Sequence, residues 1–192
     1  MGIPQWTAAG LLPPIRPELN DGAHPDRSPY KSQIDDLVSR FGTTPERRMI
    51  LDGLLRFRAA LHELGMTGFQ WLDGSFMEDI ETNDNRPPND IDVVIFYTPP
   101  EGVDESALAE ANPDIFRNSK DAYSVDAYFY RLGLPMDQSA VERVSYWYSL
   151  WSHKRDHSWK GYIQIDLDPE HDAVARVNLN VLLEEEVAHG IA

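Results

Sequence analysis

The chain contains no cysteine. Disulfides, thiolate zinc sites and a cysteine nucleophile are therefore excluded. No uninterrupted apolar run approaches the roughly 20 residues that a membrane span needs. The start, MGIPQWTAAGLLPPIRP, carries neither the charged segment nor the long apolar segment of a signal peptide. The expectation is a cytoplasmic protein with no membrane partner. Positive charge is also scarce: 17 Lys and Arg against 32 Asp and Glu leave a formal net charge of -15. Sequence-independent grip on nucleic acid depends on Lys and Arg displacing phosphate counterions, so no long nucleic acid is expected as a partner.

What is present fits a globular domain: 192 residues, 42% of them hydrophobic and 26% charged. Residues 1–30 carry Pro4, Pro13, Pro14, Pro17, Pro25 and Pro29 without sustained periodicity, and read as an irregular Pro-rich arm. Residues 31–192 read as a single domain. Ile34, Leu37, Val38 and Phe41 recur at helical spacing from SPYKSQIDDLVSRF onward. The clearest helix is TTPERRMILDGLLRFRAALHELG, with Thr44 as cap, Pro45 in the first turn and Gly65 as terminator. Strands are expected at GFQWLDG, IDVVIFY, SVDAYFY and GYIQIDL, with helices between and after them. NLNVLL near the end reads either as helix or as an edge strand. The pattern predicts a mixed α/β (α+β) domain, a mixed sheet packed against helices.

The stretch NDIDVVIF sets Asp90 and Asp92 at the head of an apolar run. Alternate strand residues point to opposite faces, so Asp90 and Asp92 share one side while Ile91, Val93 and Ile95 take the core side. Residues two apart on a strand lie about 6.5 to 7 Å apart at Cα, and their carboxylates can converge further. Two like charges at about 4 Å repel by about 4 kcal/mol at an effective dielectric near 20. A cation between them turns that cost into a binding site. Carboxylate oxygens without Cys or clustered His select a hard ion, Mg²⁺ or Mn²⁺. Taken alone, an Asp-x-Asp is more often a pair of solvent-side acids on a half-exposed strand.

Two further elements bear on that choice. In WLDGSF an apolar strand end runs into Gly74-Ser75 and a predicted helix start; glycine permits close backbone approach, and free N–H groups with the Ser75 hydroxyl suit a phosphate. In SVDAYFY, Asp126 faces away from Val125 and Ala127. If that strand lies beside the Asp90 strand, Asp126 completes a set of three carboxylates. Asp166, in YIQIDL, is the rival for the same role.

WLDGSF, then DIDV, then VDAYF together resemble the nucleotidyltransferase fold of the DNA polymerase beta superfamily, over Trp71 to Phe129. The spacer containing ETNDNRPPND is longer than that pattern usually has. The layout is similar to small, poorly characterised bacterial members, some belonging to toxin-antitoxin or defence pairs. The resemblance implies transfer of a nucleoside monophosphate from an NTP to a hydroxyl, with release of pyrophosphate. It implies Asp90, Asp92 and Asp126 as catalytic residues and ligands of Mg²⁺ or Mn²⁺, and Gly74 and Ser75 as contacts of the β and γ phosphates. The acceptor is expected to be a protein, a tRNA or a small molecule. The alternative is a catalytically silent module of the same fold that binds a nucleotide or a partner chain. A calcium module is a third option but lacks the EF-hand loop pattern.

SHKRDHSWKG places His153, Lys154, Arg155, His157 and Lys160 within ten residues of an otherwise acidic protein. Lys160 is the expected phosphate contact of this segment. Arg47, Arg48, Arg56 and Arg58 lie on the long predicted helix, where surface ion pairs are expected. The aromatic run YWYSLW, at helical spacing, is expected to be core.

Overall fold

An apolar stripe marks each of the first two helices, and the second also has a capped start. In α1 (Ile34–Phe41) the stripe Ile34, Leu37, Val38 and Phe41 is fully buried. Thr44 caps α2 (Pro45–Glu63), its hydroxyl accepting from Arg47 N at 3.3 Å, and the chain leaves through Gly65 at φ +71°. These elements belong to a computed structural model that describes residues 2–19, 21–188 and 190. The outer limits expected for the arm and the domain, residues 1 and 192, lie outside the described residues.

The described residues form a mixed α/β fold with a five-stranded sheet and eight α-helices. The strands are β1 (Tyr30–Ser32), β2 (Thr67–Asp73), β3 (Ile91–Thr98), β4 (Val125–Arg131) and β5 (Ile163–Asp166), in the order β1-β5-β2-β3-β4. The β1–β5 and β3–β4 pairs are parallel, and β2 is antiparallel to both its neighbours. Between β3 and β4 lie three short helices, α4 (Glu105–Ala111), α5 (Pro113–Phe116) and α6 (Ser119–Tyr123). The helix α3 (Ile80–Asp84) precedes β3, α7 (Gln138–Trp151) follows β4, and α8 (Pro169–Ala188) follows β5. NLNVLL is helical, within α8. The opening YKS, expected to lead into a helix, is instead the strand β1, held by β5.

The sheet is covered on both faces. One face presents Leu72, Ile91, Val93, Ile95, Val125, Ile163 and Ile165 to a core completed by α1, α2 and α8. The other gathers Trp71, Val94, Phe96, Tyr162 and Trp151, the last from α7. On the side of β3 that carries the aspartates Val94 and Phe96 are buried, which disfavours the alternative of a half-exposed strand. Along α7 only the stripe Ala140, Val144, Trp147 and Trp151 turns inward; Tyr146, Tyr148 and Leu150 are exposed, so YWYSLW is core in part only. The proline-rich arm lies on the domain: Leu11 and Leu12 are buried, Trp6 Nε1 donates to Met77 O, and Asp79 N donates to Gly10 O. Among the described residues no helix is long and apolar enough to cross a membrane.

Two arginines of α2 depart from expectation. Arg47 and Arg58 are buried, not engaged in surface pairs, because each finds a full set of acceptors from distant chain segments. Arg47 donates to Phe76 O, Glu78 O and both carboxylate oxygens of Glu81. Arg58 donates to Gln70 Oε1, Asp166 O and the Asp172 carboxylate, joining α2, β2, β5 and α8 at one point. Arg56, by contrast, makes the expected surface pair with Asp52 at 2.9 Å.

Removing one partner of a buried charged pair typically costs about 3–5 kcal/mol, whereas an exposed pair contributes below about 1 kcal/mol. Arg58→Met leaves Asp172 with His62 alone, 2.9 Å away, and is expected to lower the unfolding free energy by about 3 kcal/mol. Arg56→Ala is expected to change it by less than about 0.5 kcal/mol. Urea denaturation of both variants measures the contrast, and equal losses would contradict it.

Candidate active site

The end of the sheet at which β2 stops and β3 and β4 begin carries a row of carboxylates. Asp73, the last residue of β2, pairs with Asp92 of β3, and Asp92 pairs with Asp126 of β4. Directly paired residues of neighbouring strands project to the same face. Asp90 precedes β3 by one residue and Asp92 by two, which sets it on that side as well. The adjacency on which the three-carboxylate reading depends is thus present. Asp166 is not in the group: it pairs with Phe69, four residues back along β2 from Asp73, and lies toward the other end of the sheet.

The site is acidic and partly shielded. Burial pushes the Asp92 carboxyl up to about 6, and the charges of Asp90 and Asp126 add to the shift. Lys120, on α6, reaches into this space: its Nζ lies 2.5 Å from Asp90 Oδ2 and 3.7 Å from Asp126 Oδ2. The carboxylates thus draw in the cation available to them. Beside them Tyr128, two residues after Asp126, rests its ring 4.6 Å from that of Trp147 and forms an aromatic wall.

Gly74 is required here for a reason unrelated to any ligand. Its φ is +87°, and a Cβ at this position would fall 2.0 Å from Asp92 Oδ2. The backbone at residue 74 therefore packs against the Asp92 carboxylate, which only glycine allows. Ser75 follows, half-buried, but the helix expected at that point is a single 3-10 turn, Ser75–Met77. It is too short to present a helix dipole to a phosphate.

Lys160, the expected phosphate contact of the basic segment, is buried. Its side chain is 6% exposed and its ammonium sits 3.0 Å from both Asp73 Oδ1 and Glu78 Oε1. The contact with Glu78 is a hydrogen bond; that with Asp73 Oδ1 is an ion pair without hydrogen-bond geometry. A lysine so placed clamps the two ends of the Gly74–Met77 turn, its ammonium engaged by a carboxylate on either side. Burial pushes Asp73 up to about 7, with Lys160 pulling it back in part, while the two carboxylates hold Lys160 above its ordinary value. Arg47 fastens the same turn from the other side, through Phe76 O and Glu78 O. Nearby, Lys154 lies 3.6 Å from Glu78 Oε2, and His153 rests on the exposed Trp159 ring at 4.3 Å.

The sequence reading missed Asp73, Lys120 and Glu78. Asp73 stood in the quoted WLDGSF, and its place directly before Gly-Ser was the available signal. Nothing local marks Lys120. The donor set, all carboxylate oxygen around a cation, matches the chemistry of a hard divalent ion. As the side chains stand, no group of three or more His, Asp or Glu among the described residues is placed to hold a metal.

A carboxylate row at one end of a mixed sheet, bordered by a pinned glycine turn, defines the chemical class of this site as a cation-attracting acidic centre. The model of the family of unknown function DUF6932 matches residues 4–166, and the chain belongs to that family. The matched span takes in all five strands and every residue of the centre, and stops before α8. No curated protein and no solved structure matches the chain.

A carboxyl whose folded-state value lies above its unfolded value binds its proton more tightly when folded. Its charge therefore destabilises the fold progressively as pH rises from about 4 through about 6. With chelator present, Asp92→Asn is expected to exceed the wild type in stability at pH 7.5 by about 1–3 kcal/mol. The gap should close near pH 4. Urea denaturation at the two pH values checks this, and a wild type no less stable than the variant at pH 7.5 would refute it.

Proposed function

We propose that the chain is a metal-dependent nucleotidyltransferase that moves a nucleoside monophosphate from an NTP to a hydroxyl of a protein, tRNA or small-molecule acceptor. The observation that carries this reading is the register of β3 and β4, which sets Asp92 beside Asp126 with Asp90 two residues ahead. The motif resemblance over Trp71 to Phe129 supplies the chemistry, and it extends to small bacterial proteins of toxin-antitoxin and defence pairs. The surplus of negative charge favours a compact acceptor over a long nucleic acid.

In this reading Asp90, Asp92 and Asp126 hold Mg²⁺ or Mn²⁺, which when bound stabilises the attacking and leaving oxygens of the displacement. Asp126, more exposed than Asp90, takes the proton of the acceptor hydroxyl. That oxygen forms a bond to the α-phosphorus as the bond to the β-phosphate bridging oxygen breaks, and pyrophosphate leaves. Gly74 and Ser75 border the phosphate chain. Lys160 and Arg47 act as positioning residues, holding the turn that presents Gly74 to Asp92.

A second reading, a silent nucleotide- or partner-binding module, is favoured by the Lys120 ammonium among the carboxylates. The two readings are separated by incubating the protein with each α-labelled NTP, Mg²⁺ and total cell lysate, then resolving labelled protein, RNA and small molecules. Transfer is expected, reduced at least 100-fold in each of Asp90→Asn, Asp92→Asn and Asp126→Asn. Mg²⁺-dependent NTP binding without transfer would support the silent module. Absence of both transfer and binding would sink the enzyme.

A further inference from the structure

Lys120 has no task in the scheme above, yet its backbone is fixed beside both aspartate strands. It stands in the first turn of α6; Ser124, at φ 56°, turns the chain from that helix straight into β4. Ile91 N donates to Ser124 O, which ties this corner to the start of β3. The side chain above this anchored backbone is 60% exposed. It is a flexible four-carbon stem ending in a compact charge, which here meets Asp90 and Asp126.

An ammonium among carboxylates relieves their repulsion as a divalent ion would, but with half the charge. It also uses the same oxygens. The ammonium and a divalent ion therefore compete for Asp90 and Asp126, and whichever enters displaces the other. A displaced ammonium with a fixed backbone stays within a side chain's length of the site. A triphosphate delivered there with the metal is the nearest concentration of negative charge for it to meet.

We propose that Lys120 is a tethered stand-in for the divalent cation. It neutralises the carboxylates in the free protein, leaves Asp90 and Asp126 when Mg²⁺ or Mn²⁺ enters, and then pairs with the phosphates of the bound nucleotide. The proposal rests on the functional reading above. It has a signature that an ordinary surface ion pair lacks: removing the ammonium acts in opposite directions on the two ligands. Metal affinity rises because the fraction of free carboxylates rises, while nucleotide affinity falls because a phosphate partner is lost.

The test is binding of Mn²⁺, followed by electron paramagnetic resonance of the free ion, and then of the α,β-methylene analogue of ATP at saturating Mn²⁺. The proteins are wild type, Lys120→Met, Lys120→Arg and Asp92→Asn, each first shown by circular dichroism and thermal unfolding to be folded. Lys120→Met is expected to bind Mn²⁺ about tenfold more tightly and the analogue about tenfold more weakly than wild type, roughly 1.4 kcal/mol in each direction. Lys120→Arg should stay near wild type for both. Mn²⁺ binding that is lost in Asp92→Asn but unchanged in Lys120→Met would overturn the proposal and leave the functional reading intact. Tighter Mn²⁺ with undiminished analogue binding would overturn the transfer of Lys120 to phosphate. No Asp92-dependent Mn²⁺ binding in any of the proteins would overturn the functional reading, and the proposal with it.

Discussion

The parallel pairing of β3 with β4 is the constraint from which the rest of the site follows. Both strands enter the sheet at the same end, so the first inward-facing residues of each, Ile91 and Val125, stand opposite one another in the core. The next residues, Asp92 and Asp126, are then forced side by side on the other face. Burial of Ile91, Val93, Ile95 and Val125 fixes that register, since a slip by one residue would turn the acids into the core. Hydrophobic free energy thus holds the like charges together. The antiparallel strand β2 extends the row by one more carboxylate, Asp73, and a cation is needed on each side of the group: Lys160 within the fold at Asp73, Lys120 at the surface by Asp90 and Asp126.

The two lysines divide the labour by depth. Lys160 is enclosed, with two carboxylates and no exit, and its charge belongs to the fold. Arg47 does the same from α2, with no exposed surface and four donated hydrogen bonds into residues 76–81. Between them the glycine turn has little freedom, which suits a backbone that must sit against Asp92. Lys120 is tied to the protein only through its stem. The most rigid and the most movable cations of the region thus face the same carboxylate row.

Periodicity made much of the architecture readable in advance. The stripe Ile34, Leu37, Val38 and Phe41, the capping pattern from Thr44 to Gly65, and the apolar alternation of β3 are local signals, and local signals survive in a linear reading. What was not legible depends on distance. The three residues of β1 have no pattern of their own and form a strand because β5 offers them an edge. Arg47 and Arg58 look like other helix-surface arginines; their burial is decided by acceptors up to 114 residues away. Lys160 stood out because its neighbours are basic, and the linear sequence hides that Asp73 and Glu78 fold around it. The acid strands were legible because Asp90 and Asp92 interrupt a pattern, and Asp126 because it repeats the interruption.

The Arg58 junction also bears on what the unit of this fold is. The family match ends at Asp166, whose carbonyl accepts from Arg58, but the carboxylate that neutralises the same guanidinium is Asp172 of α8. Ala175 and Leu179 of that helix belong to the core shared with α1 and α2. A chain cut where the family match stops would keep every residue of the acidic centre but lose both the carboxylate that neutralises Arg58 and the α8 side chains packed beneath the sheet. Relatives that align only over the matched span must therefore supply a cover for this position, or replace the arginine, and the residue found there would reveal which.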